Sequence, residues 1–115
     1  MTGTGDDAGL AGELERVADR LRVLGPRLAA RADGKDDAGG GTGTLGRVRQ
    51  TLRTLAELAA DAEGRPRRPV PELAPHALGD QLLVLGHDLL AVTDGHPRER
   101  HAGLAALVDL RRSLP

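Results

Sequence analysis

Apolar residues recur along most of the chain at alternating spacings of three and four positions, the pattern of helices that bury one face. One such segment covers residues 9 to about 32 and keeps its phase through Gly25-Pro26, which predicts a kinked helix rather than a reversal. Another covers residues 44–63, with Gly64 as the glycine that ends it. No segment shows the period of two that indicates a strand.

The third segment, residues 75–93, is the most apolar part of the chain and is predicted to be the most buried helix. At about 100° per residue it carries two apolar stripes separated by glycines. The main stripe is Leu78, Leu82, Leu85, Leu89 and Val92, the second is Leu83 and Leu90, and the glycines are Gly79 and Gly86. Because glycine is poor inside a helix, this repeat predicts the close approach of another helix.

The segment Asp94-Gly95-His96-Pro97 predicts a tight turn into a fourth helix over residues 97–114. So short a connection predicts that the third and fourth helices are antiparallel neighbours. The predicted fold class is therefore all-α, an antiparallel four-helix bundle that forms one domain over residues 9–115. Outside its helices we expect a disordered N-terminus at 1–8, a flexible Gly-rich linker at 33–43 and a stiff Pro/Arg-rich crossover at 64–75.

The charges of the second helix are arranged against the helix dipole. Its basic residues Arg47, Arg49 and Arg53 come early, and its acidic residues Glu57, Asp61 and Glu63 come late. This order costs some tenths of a kcal/mol per charge, and Thr44 or Thr42 is expected to cap the start of the helix. Charge partners on another helix would explain the arrangement.

Composition narrows the function classes. The net charge is -1, and the chain has neither cysteine nor aromatic residues. Thiol chemistry and Cys-type zinc sites are thus excluded, bases have no stacking platform, and neither nucleic acid nor a membrane is expected as partner. The N-terminus has no apolar run of the kind found in signal peptides, so a cytoplasmic location is expected. Lysine occurs only at Lys35 among many arginines, which with the other scarce residue types indicates a GC-rich bacterial genome.

The second apolar stripe exceeds what one helix of a monomeric bundle needs, and exposed apolar patches usually mark interfaces. The candidate interaction surface is therefore Leu83 and Leu90 with Gly79 and Gly86. The predicted function is that of a non-catalytic interaction or scaffold module, which binds a partner protein or forms a homodimer. In the other reading, the crossover covers this stripe within the monomer through Val70 and Leu73.

The alternative to an interaction module is a protein that transfers a phosphoryl group through a histidine. The segment His76-Ala77-Leu78-Gly79 resembles the H-x-L-K-G motif of histidine phosphotransfer domains, with glycine in place of the lysine. Those domains are four-helix bundles of this length, so the resemblance implies a phosphoacceptor at His76, or at His87, where His87-Asp88-Leu89 resembles the core of sensor-kinase dimerisation helices. His76 and Asp80 could share an ion, but His87 lies about 10 Å beyond Asp80 along a straight helix. We therefore predict no metal site, no cofactor and no catalytic constellation.

Overall fold

Helices account for most of the backbone that the structure describes. The computed structural model describes residues 2–33 and 43–115, with side chains for 9–28 and 43–115. It contains α1 (Thr2–Asp33), α2 (Thr44–Glu63), α3 (Leu78–Val92) and α4 (Pro97–Ser113), with one 3-10 turn, Pro75–Ala77, before α3. No strand occurs within these described ranges, and the helices share one core. The predicted all-α four-helix bundle is confirmed.

The order of the helices around the bundle differs from the prediction. α1 and α2 each pack against both α3 and α4, whereas the backbones of the α1–α2 and α3–α4 pairs come close at few points and lie diagonally. The prediction that the third and fourth helices are neighbours is therefore wrong. Residues 93–96 do form the predicted tight turn, closed by a hydrogen bond of 2.8 Å from the His96 N–H to the Thr93 carbonyl oxygen, but the two helices diverge from it. Across the α3–α4 diagonal, Arg100 donates to the carbonyl oxygen of Leu90 over 2.9 Å.

The directions of the helices follow from which residues meet. α1 and α4 run parallel, because Leu104 lies near Gly9, and Arg111 bonds to Glu13. α2 runs parallel to α3 and antiparallel to α4. Adjacent helices thus alternate between antiparallel and parallel, rather than being antiparallel throughout. The antiparallel pairing of α1 with α3 is seen in two contacts, Ala18 with Gly79 and Leu14 with Gly86.

The crossover between α2 and α3 explains this topology. α2 has 20 residues and is therefore about 30 Å long. The following ten residues, 65–74, form no regular secondary structure, and at about 3.1 Å per residue an extended Pro-rich segment of that length spans about 31 Å. The crossover therefore returns the chain to the end of the bundle where α2 began, and α3 must run parallel to α2.

The core is built almost entirely from leucine, valine and alanine. Among the described residues, α1 supplies more of the buried leucines than α3. In α3, Leu85 and Val92 of the main stripe are only half-buried, whereas the apolar stripe of α1 is covered by α3 on one side and by α4 on the other. The fully or nearly fully buried leucines are Leu10, Leu14, Leu21, Leu24, Leu28, Leu45, Leu52, Leu55, Leu78, Leu82, Leu89, Leu107 and Leu110.

The helix ends agree in part with the sequence prediction. Gly64 ends α2 with φ 70°, and Pro97 begins α4, as predicted. α1 runs unbroken through Pro26 but begins at Thr2 instead of Gly9, where disorder was expected, because adding residues to an existing helix carries no nucleation cost. Gly43 stands at the N-cap of α2 without a side-chain bond, so Thr44 is not the cap. Thr42 and linker residues 34–42 lie outside the described residues.

Residues of the crossover pair with some of the charges that oppose the dipole of α2, namely Arg49, Glu57 and Asp61. Arg67 donates to both carboxylate oxygens of Asp61, over 3.1 and 2.7 Å, and lies 3.8 Å from Glu57. Near the other end, Arg49 donates to the carbonyl oxygen of Leu73 over 3.2 Å. The partners predicted to lie on another helix are therefore on the crossover, and they fix its course along α2.

The carboxyl of Asp61 should report this attachment. The hydrogen bond from the Arg67 guanidinium lowers the pKa of Asp61 below its ordinary value of 3.8. This interaction stabilises the fold at neutral pH and is lost as the pH falls through the lowered pKa. In an NMR titration, Arg67→Ala should raise the pKa of Asp61 toward 3.8. Arg68→Ala is the control and should leave it unchanged, and an unchanged midpoint in Arg67→Ala would rule out the bond.

Candidate functional site

Two of the four residues predicted to form an interaction surface lie inside the bundle. A Cβ atom added at Gly86 would lie 2.3 Å from a methyl carbon of Leu14, and one at Gly79 would lie 3.2 Å from the carbonyl oxygen of Ala18. The predicted close approach of a helix to this glycine stripe is confirmed, and the helix is α1. Because both glycines are buried against α1, they are unavailable to a partner and are removed from the candidate surface.

The remaining candidates belong to a continuous strip on the outside of α3. Val84 is 68% exposed, His87 and Ala91 are exposed, and the predicted residues Leu83 and Leu90 are half-buried. Leu83 and Leu90 also pack against the core, so they support the fold as well as bordering the surface. We call these five residues the α3 outer face.

The α3 outer face contains no aspartate, glutamate, lysine or arginine. The carboxyl of Asp80, one turn before it, is 3.3 Å from Arg22 of α1, and that of Asp88, at its edge, is 3.3 Å from Arg65 of the crossover. The exposed positions of α1, α2 and α4 are by contrast mostly charged. The α3 outer face extends over two helical turns without an acidic side chain, a lysine or an arginine. In this it differs from the outer surfaces of α1, α2 and α4.

The crossover covers the opposite flank of α3. Val70 lines a shallow cavity of about 270 Å³ together with Gln81 and Leu85, on the side of α3 that faces α2. At about 100° per residue, Leu83 and Leu90 point roughly 140–160° away from Leu85. Leu73 is itself 39% exposed. The crossover therefore leaves the second apolar stripe open.

The histidines are exposed and separate. His87 lies in the middle of α3 and His76 in the 3-10 turn that precedes it. Within the described ranges, no group of three or more histidine, aspartate or glutamate side chains converges in the way a metal site requires. His87 is surrounded by the apolar residues of the α3 outer face. Leu83 and Val84 lie on one side of it along the helix, and Leu90 and Ala91 lie on the other.

A groove between α2 and α4 was not predicted from the sequence. It has a volume of about 390 Å³, and small side chains such as Thr51 and Ala106 leave it open. The sequence could not reveal it, because the pairing of α2 with α4 depends on a linker and a crossover whose courses the hydrophobic pattern does not determine. Its lining residues are Arg47, Gln50, Thr51, Arg53, Ala106, Asp109, Leu110 and Ser113.

Polar groups divide between the two walls of this groove, which we call the α2–α4 groove. Arg47 and Arg53 present donors from α2, and Asp109 presents an acceptor from α4. The hydroxyls of Thr51 and Ser113 already donate to backbone carbonyls of their own helices, over 3.0 and 2.8 Å. The charged groups that face an incoming molecule are therefore the guanidinium groups of Arg47 and Arg53 and the carboxylate of Asp109.

Comparisons with models of known families, with curated protein sequences and with solved structures find no match to this chain. No helix in the described part of the chain is long and apolar enough to cross a bilayer. Two surfaces of the molecule are candidates for binding a partner, the α3 outer face and the α2–α4 groove.

Proposed function

We propose that this chain is a small non-catalytic helical bundle of the cytoplasm that acts through protein–protein contact, and that it pairs with a second copy through the α3 outer face. The observation that carries the proposal is the exposure of Val84, at 68%, within a surface that has no aspartate, glutamate, lysine or arginine. Exposed apolar surface of this kind is a common mark of an interface.

A second copy is favoured because the strip is symmetric along the helix. Leu83 and Val84 lie four and three residues before His87, and Leu90 and Ala91 lie three and four residues after it. A two-fold axis through His87 would place the first pair on one protomer against the second pair on its partner, in an antiparallel helix pair. Two-fold interfaces are self-complementary in this way.

The strength expected for such a dimer is modest. The contact involves one helix from each protomer, so the buried area falls at the low end of specific interfaces, below roughly 1,200 Å² in total. We expect dissociation in the micromolar range, about -8 kcal/mol for 1 μM. Light scattering after size exclusion, from about 1 μM to several hundred μM, should show the mass rising from 12.0 kDa toward twice that value.

Val84→Asp combined with Ala91→Asp should abolish the dimer at every concentration tested. Each carboxylate would be buried without a partner in the interface, whereas in the monomer both positions face solvent. These two positions are better suited than Leu83 and Leu90, which also contact the core. The measurement is the light-scattering mass, with circular dichroism to show that the helices are intact.

Val23→Asp is the matched control for this substitution. Val23 is also 68% exposed, but it lies on the outside of α1. It should leave the dimer unchanged. A wild-type chain that stays monomeric throughout contradicts self-association and leaves a different protein as the partner. Dimers that survive the Val84 and Ala91 substitutions contradict the choice of surface.

A second candidate function is phosphotransfer through a histidine. The observation in its favour is the exposure of His87 halfway along a helix of a four-helix bundle, the setting that the sequence resemblance implies. Incubation with phosphoramidate would then transfer a phosphoryl group to a ring nitrogen of His87, with ammonia as the leaving group. Acid-labile phosphate lost in His87→Gln and kept in His76→Gln supports it. The reverse pattern identifies His76 as the acceptor, and no incorporation refutes both.

A further inference from the structure

The arginines of this chain differ in whether they have partners. Several have an ion pair or a hydrogen bond to another part of the bundle, as Arg49, Arg65 and Arg67 do along the crossover. Arg47, Arg53 and Arg68 are exposed and have no acidic partner within the described part of the chain; Arg53 bonds only to the neutral Gln50, over 2.6 Å. We call these three the arginine strip.

The arginine strip follows one surface of the molecule. Arg47 and Arg53 line the α2–α4 groove. Arg53 also lines a neighbouring depression of about 240 Å³, which it shares with Arg68 of the crossover. Because Arg53 borders both cavities, the three guanidinium groups lie along one path, from the first half of α2 to the crossover.

The floor beneath the strip provides apolar contact as well as charge. Leu110 and Ala106 of α4 form part of the α2–α4 groove, and Val70 and Pro69 of the crossover form part of the neighbouring depression. Each recess is large enough for one or two aliphatic side chains, since a buried water or methyl-sized group takes roughly 30 Å³. A molecule seated on this surface would thus meet guanidinium groups and aliphatic carbon, with the Asp109 carboxylate on the α4 wall of the groove.

We infer that the arginine strip and the α2–α4 groove bind an acidic segment of a partner protein, with its carboxylates on the three arginines and an aliphatic side chain in the groove. Arginine suits this role because its planar fork matches a carboxylate. Nucleic acid is less suited, because the chain has no aromatic side chain on which bases could stack. The surface is distinct from the α3 outer face, so the inference does not depend on the proposed dimer.

Fluorescence anisotropy with a labelled peptide of glutamates around a leucine pair tests the inference. The full chain should bind this peptide, and affinity should fall with added salt. Arg47→Gln with Arg53→Gln should weaken binding roughly fivefold or more, because two exposed charge contacts are lost. Arg68→Gln should weaken it by a smaller factor. Replacing the leucines of the peptide with serines should also weaken binding, through the loss of contact in the groove.

The matched control is Arg27→Gln with Arg98→Gln, which removes the same charge from two arginines that also have no acidic partner in the described ranges. It should change affinity less than about twofold, because neither arginine lines the α2–α4 groove or the neighbouring depression. Equal losses in the two double variants would overturn the inference, since net charge alone would then account for binding. So would an absence of peptide binding, or equally tight binding of a lysine peptide or a labelled oligothymidylate. The Val84 and Ala91 variant should bind the peptide like the wild type, which separates this inference from the dimer.

Discussion

Gly86→Leu should lower the free energy of unfolding by about 3 kcal/mol or more, the largest loss we expect from a single substitution in this bundle. The first added atom would already lie 2.3 and 2.5 Å from the two methyl carbons of Leu14 and 2.9 Å from its Cγ. Leu14 is completely buried, so its whole side chain would have to move into filled space. Urea unfolding followed by circular dichroism provides the measurement.

Gly12→Ala is the control for this substitution. A Cβ atom at Gly12 meets only the guanidinium nitrogens of Arg16, at 3.7 Å and beyond, which is ordinary contact. The substitution should therefore stabilise α1 by about 0.5–1 kcal/mol through helix propensity alone. If Gly86→Leu raised the midpoint as Gly12→Ala does, α1 and α3 could not be as close as the glycine stripe indicates.

Arg111→Ala should cost about 1–3 kcal/mol, because it leaves a buried carboxylate poorly compensated. The side chain of Glu13 is 5% exposed and accepts from Arg111 of α4; its other partner is Arg16, at 3.3 Å. Breaking a fully buried pair costs more, but Arg111 is 43% exposed, so solvent screening reduces the loss. Thermal and urea unfolding both measure it.

Arg112→Ala tests whether this effect belongs to the pair. Arg112 is the exposed neighbour of Arg111 and has no acidic partner within the described residues, so its removal should change stability by less than about 0.5 kcal/mol. Combining Arg111→Ala with Glu13→Gln should cost less than the sum of the single losses, because the neutral amide no longer needs a cation. Strictly additive losses would contradict a direct interaction between the two side chains.

The hydrophobic pattern predicted the helices well because their burial depends on local spacing. Leu78, Leu82 and Leu89 were assigned to one stripe, and all three are fully buried. Gly64 and Pro97 act through their own backbone geometry, so their positions at a helix end and a helix start were predictable as well. The close approach at Gly79 and Gly86 followed from the cost of glycine in a helix.

The arrangement of the helices was not predictable from the same pattern. The apolar stripes of all four helices have the same spacing, so no stripe indicates which other helix it packs against. The short turn after Thr93 indicated neighbours, but the two helices diverge from it. Assigning Gly79 and Gly86 to an exposed surface was wrong for this reason, since nothing in the sequence placed α1 over them. The α2–α4 groove was not predicted either, because the sequence does not indicate that α2 packs against α4. One usable signal was overlooked, namely that the crossover is as long as α2 and can return the chain along it.

The diagonal placement of successive helices also affects how fast the chain can fold. α1 finds its packing partners in α3 and α4 rather than in α2, and Glu13 and Arg111, which join α1 to α4, are 98 positions apart. Contacts of this kind require long loops to close before much apolar surface is buried. We therefore expect this bundle to fold more slowly than bundles of equal size whose successive helices are neighbours, and to expose the apolar seam of α1 until α3 and α4 have docked.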